Sequence, residues 1–70
     1  MIWIFERKGR QARVELLYVP PATYELRVVD GDGNEHLEQY TTAEAAGQRQ
    51  LEWEAALCAD GWAKTRGWKL

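Results

Sequence analysis

Tyr24-Glu25-Leu26-Arg27-Val28-Val29, Asp30-Gly31-Asp32-Gly33-Asn34 and Glu35-His36-Leu37-Glu38-Gln39-Tyr40 run on without a break, and their reading decides the fold. The first six residues alternate and carry the aromatic and β-branched side chains that suit a pleated strand. The five that follow are the small and Asx residues of a turn. The last six alternate again, so the stretch reads as a β-hairpin. A two- or four-residue turn gives one and the same register, with Arg27 opposite Glu38.

Downstream, Thr41-Thr42-Ala43-Glu44 has the spacing of a capping box, in which the Thr41 hydroxyl and the Glu44 carboxylate satisfy the first free amides of a helix. A helix is expected to run from there to about Asp60, with Gly61 as its stop. Upstream, residues 2–8 and 12–18 read as two more strands. Gly9-Arg10 suits a two-residue turn with glycine first, which pairs Glu6 with Arg13, Phe5 with Val14 and Trp3 with Leu16. Val19-Pro20-Pro21-Ala22 separates the second strand from the third, because proline lacks the ladder donor.

The chain therefore reads as one small α+β domain, residues 1–70. A four-stranded antiparallel meander is followed by one helix packed on one face (ββββα), and residues 63–70 form a short C-terminal strand or a tail. Alternation sorts the strand residues into two faces. Trp3, Phe5, Val14, Leu16, Tyr18, Tyr24, Leu26, Val28 and Leu37 make the expected core face. The opposite face carries Ile2, Ile4, Leu17, Val29, His36 and Tyr40, together with a Glu6–Arg13 pair and a Glu15–Arg27–Glu38 row.

Composition narrows the chemistry. The chain has 70 residues and a net charge of −2. Residues 1–14 and 61–70 are each +3, and residues 15–60 are −8. Cys58 is the only cysteine and His36 the only histidine, which leaves no internal disulfide and no Cys/His zinc spacing. Asp30, Asp32 and Asn34 match the opening ligands of a calcium loop. Its sixth position is Glu35 and its twelfth Thr41, where glycine and a bidentate glutamate are needed. Serine is absent, and Cys58 on a helical stripe reads as a small apolar residue, so no nucleophile is placed beside a base. Gly31 and Gly33 precede no helix and no Lys-Ser/Thr, which excludes a phosphate loop. No catalytic residue, metal ligand, cofactor or small-molecule substrate is assigned.

No segment approaches the ~18 apolar residues of a membrane span. Ile2-Trp3-Ile4-Phe5 is too short for a signal sequence, and a cytoplasmic setting with a reduced cysteine is expected. A domain this small is marginally stable on its own. The helix shows two apolar stripes, Ala46/Trp53/Leu57 and Gly47/Leu51/Ala55/Cys58, and there is surplus tryptophan at Trp53, Trp62 and Trp68. One stripe is thus available to a partner, and Ala46, Trp53 and Leu57 are the expected contact. The function that follows is a non-catalytic interaction module, a homodimer or an adaptor for another protein.

Two alternatives belong to other classes. Arg13, Arg27, His36 and Tyr40 on the outer sheet face, supported by Arg7, Lys8 and Arg10 in the first hairpin, are suited to single-stranded nucleic acid, by base stacking and phosphate contact. The order of four strands and then a helix is similar to the repeats of the Pur-alpha and Whirly single-strand binders, a resemblance of topology that carries no sequence motif. The −8 segment also suits a small acidic inhibitor of a nucleic-acid-binding protein.

Overall fold

The computed structural model describes residues 1–68, with side chains to residue 65. The tail reading for residues 69–70 and the role of the Trp68 side chain lie outside these. Five strands precede and follow one helix: β1 (Ile2–Arg7), β2 (Arg10–Val19), β3 (Thr23–Val29), β4 (Glu35–Tyr40), α1 (Ala43–Ala59) and β5 (Ala63–Trp68). They form a single antiparallel sheet in the order β4-β3-β2-β1-β5. The expected meander and helix are present, and β5 is the added strand. The helix crosses one face of the sheet and delivers β5 to the far side of β1.

Phe5, Val14, Leu26 and Val28 are fully buried, joined by Ala12, Leu57 and Trp62. Each large apolar side chain buried in this way contributes about 1.5–3 kcal/mol. Trp3, Leu16, Tyr40 and Trp53 pack around this core half-buried.

The first hairpin turns one residue earlier than expected. Lys8 (φ 51°) and Gly9 (φ 77°) occupy the turn, the positive-φ pair whose twist matches the flanking strands. Phe5 therefore pairs with Ala12, Trp3 with Val14 and Ile4 with Arg13, and Arg7 faces Arg10. That like-charge pair is relieved because each guanidinium leaves it. Arg7 reaches the Asp60 carboxylate at 3.2 Å and Arg10 reaches Asp32 at 3.1 Å. The shift is two residues, so the faces of β1 and β2 are as expected.

The second correction is larger. Gly33 (φ 85°) donates its N–H to the Asp30 carbonyl, and the Asp30 and Asn34 backbones pair across the loop. The turn proper is Gly31-Asp32-Gly33, an odd number of residues with a left-handed glycine at its end. Arg27 consequently faces Leu37, and Leu26 faces Glu38. A one-residue slip exchanges the two faces of a strand. Leu37 is 54% exposed on the outer face, and His36, Glu38 and Tyr40 turn toward the helix. Tyr18, also expected in the core, is 53% exposed where β2 runs past the end of β1.

The helix cap lies one residue later than expected. The Thr42 hydroxyl, and not that of Thr41, accepts the Ala45 amide at 3.1 Å. At the other end Trp62 N–H bonds the Leu57 carbonyl and Gly61 N–H that of Cys58. This double bond pattern closes a helix around a glycine, and it folds Trp62 back onto Leu57.

Candidate interaction surface

The helix covers one face of the sheet, and its attachments account for most of the polar side chains on that side. Glu38 on β4 accepts from Arg49 Nε at 2.9 Å, from the Tyr40 hydroxyl at 2.6 Å and from Trp53 Nε1 at 3.3 Å. The Arg49 guanidinium also lies over the Trp53 ring, 5.2 Å from its centre, and the tilted His36 ring has its centre 5.1 Å away. Burial pushes the Glu38 carboxyl up, but its bonds from Arg49, Tyr40 and Trp53 outweigh this and hold it below the ordinary range. Donation to Glu38 pushes the Tyr40 hydroxyl up, with burial adding to the shift. Glu54, bonded by buried Gln50, accepts Lys64 of β5 at 2.8 Å. Arg7 donates to the Asp60 carbonyl at 2.6 Å, where a cation complements the helix dipole. This side of the molecule is tied to itself at β4, at β5 and at the helix end.

Among the described residues no element lies on the outer face. Registers place Leu37, Arg27, Glu15 and Ile2 in one row from β4 to β1. Glu35, Val29, Arg13 and Ile4 make the next row. Arg27 lies 3.0 Å from Glu35 and 3.8 Å from Glu25, and Arg13 lies 3.9 Å from Glu15. Opposite signs alternate across the face and are interleaved with Ile2, Leu17, Val29 and Leu37. Two buried side-chain atoms among the described residues lack a hydrogen-bond partner, Glu15 Oε2 and Arg27 Nε. The latter is close to Glu35, yet the N–H does not point at the carboxylate. Both atoms belong to the same row.

Two concavities flank the sheet. Met1, Leu16, Leu17, Tyr18 and Tyr24 line an open apolar groove of about 450 Å³ at one end. Arg7, Arg10, Asp30, Asp32, Asp60 and Trp62 border a smaller cleft of about 180 Å³ at the other. The Asp30 carboxyl there is raised by burial but held below its ordinary value by the amides of Asn34 and Asp32 and by His36.

The residues expected to contact a partner are placed differently. Ala46 and Leu57 are buried on the chain's own sheet, and Trp53 is half-buried beside them. The outward stripe is the other one, with Leu51 60% exposed and Cys58 exposed. The residues grouped for nucleic acid do not share a face. Arg13 and Arg27 are outside, His36 and Tyr40 lie beneath the helix edge, and Arg7 is held at the helix end. Leu37, Glu25 and Glu35 belong to the outer face and were not singled out. The signal for them was Gly33, whose left-handed position makes the turn odd and reverses β4.

Comparison with known protein families, curated proteins and solved structures returns no match.

Proposed function

We propose that this chain is a non-catalytic protein-interaction module of the cytoplasm that works through the uncovered face of its sheet. The observation that carries this reading is the mixed face itself. A five-stranded sheet is clad on one side only, and the bare side keeps Ile2, Leu17, Val29 and Leu37 among paired charges. An apolar patch rimmed by polar groups marks an interaction site. Among the described side chains, Arg13 and Arg27 on that face each have a carboxylate within 4 Å, so their charge is already matched within the chain. The lone exposed thiol, Cys58, is at home in a reducing compartment. Among the described residues no helix is long and apolar enough to cross a membrane.

The test compares the purified chain with Leu37→Glu. Self-association or nuclease-resistant capture of a protein partner should be lost in the variant while the circular dichroism spectrum is unchanged. Micromolar binding of single-stranded DNA at physiological salt, unaffected by Leu37→Glu, would replace this reading with the nucleic-acid one.

A further inference from the structure

Resting on that reading of the outer face, we infer that its occupant is a second copy of this chain. The two copies are related by a two-fold axis running along the strands, midway between β2 and β3.

The inference comes from the row Leu37, Arg27, Glu15, Ile2. From β4 to β1 it reads apolar, positive, negative, apolar. Rotation about the stated axis lays β2 of the second copy over β3, and β1 of the second copy over β4. Leu37 then meets Ile2 of the second copy, and Arg27 meets Glu15 of the second copy, and both contacts occur twice. The row is its own complement, as a two-fold interface requires. The adjoining row sets Val29 against the stem of Arg13 from the second copy, a contact that long basic side chains make readily.

In the same row Glu15 Oε2 and Arg27 Nε are buried within their own copy without a hydrogen-bond partner, and the Glu15 side chain is 13% exposed. The Arg27 side chain is 41% exposed, so its fork can swing toward the second copy's Glu15 while keeping Glu35. A polyanion or a strongly basic partner would meet as many repulsive as attractive charges here. A second copy meets opposite charges throughout the central row.

Size sets the strength. About this axis β1 to β4 overlap, and four strands at ~4.8 Å spacing with six residues at ~3.3 Å rise give a contact of roughly 380 Å² in projection. A standard interface covers about 800 Å² per partner. The dimer is therefore a weak one, small against a standard interface, and is formed by two sheets packed about 10 Å apart.

Sedimentation equilibrium from micromolar to millimolar chain concentration tests it, using the full chain. Glu15→Arg and Arg27→Glu should each weaken dimerisation by roughly tenfold or more, because each sets like charges across the axis. An equal mixture of the two variants should restore it as a heterodimer, although residues 15 and 27, opposite each other in the register, carry like charges within each chain. Leu37→Glu should dissociate the dimer, and Leu51→Glu on the helix should not. If either charge variant fails to fold, Leu37→Glu and Leu51→Glu decide alone. A wild-type chain that stays monomeric to about 1 mM would overturn the inference, as would a dimer broken by Leu51→Glu and not by Leu37→Glu. A monomer that still captures another protein through Leu37 would remove the second copy and keep the proposed function.

Discussion

The ring of Trp62 lies so close to Gly31 that a β-carbon at position 31 would overlap it. Gly31 is in the turn between β3 and β4, and Trp62, 6% exposed, follows the helix. The contact locks the helix end onto the far hairpin. It requires the absence of a side chain, since the buried ring has nowhere to move.

Gly31→Ala is therefore expected to cost about 1–3 kcal/mol, the usual penalty of overpacking. Gly47 in the helix has open space around its Cα, so Gly47→Ala should stabilise by about 0.5–1 kcal/mol through helix propensity. Urea denaturation of both variants checks the pair, and equal effects would show that the ring does not rest on Gly31.

The cap predicts a difference between neighbouring threonines. Thr42→Ala removes the acceptor for the Ala45 amide and should cost about 1 kcal/mol. Thr41→Ala should change stability by less than about 0.5 kcal/mol. The reverse order in thermal unfolding would move the helix start back by one residue.

The parity of β4 is tested by two substitutions. Leu37→Glu on the exposed outer face should alter monomer stability by no more than about 0.5 kcal/mol in dilute solution. Tyr40→Ala should lower the unfolding midpoint clearly, because it removes a side chain packed on the core and a donor to Glu38. The expected Arg27–Glu38 register would exchange the two outcomes, by burying residue 37.

Glu38 gives the pH dependence. Its carboxyl is lower in the folded chain than the ordinary 4.5, so the unfolded chain binds the proton more readily. The stabilisation is complete above pH 4.5 and is lost as pH falls through the folded value. Glu38→Gln should be less stable than wild type at neutral pH and should show a shallower loss on acidification. Denaturation midpoints from pH 7 down to about pH 3 measure this, and parallel curves would contradict it.

Much of this fold was legible in the chain. Alternation in residues 24–29 and 35–40, the paired prolines and the threonine-led helix start each act over a few residues. They gave the strands, the break and the helix. Registers were harder, because they depend on whether a turn spends two residues or three. Gly9 and Gly33 both needed positive φ, and placing each one residue differently moved every pair beyond it. The observed first register sets Arg7 opposite Arg10, a like-charge pair that is unfavourable locally and is relieved by the distant Asp60 and Asp32. The candidate surface inherited the error: with β4 reversed, Leu37 and His36 changed sides.

The pairing of β5 with β1 has a bearing on how the chain reaches this state. Before residues 63–68 arrive, β1 is a border strand, and Ile2-Trp3-Ile4-Phe5 presents unpaired amides on a strongly apolar segment. Exposed borders of that kind recruit other chains. The helix spans the sheet between β4 and β5, and β5 on β1 places the border on a strand whose sequence carries Lys64 and Arg66. The pairing joins residues some 60 positions apart, so it is among the slowest to search for. The pairing that completes the sheet is thus also what withdraws the apolar β1 from pairing with other chains.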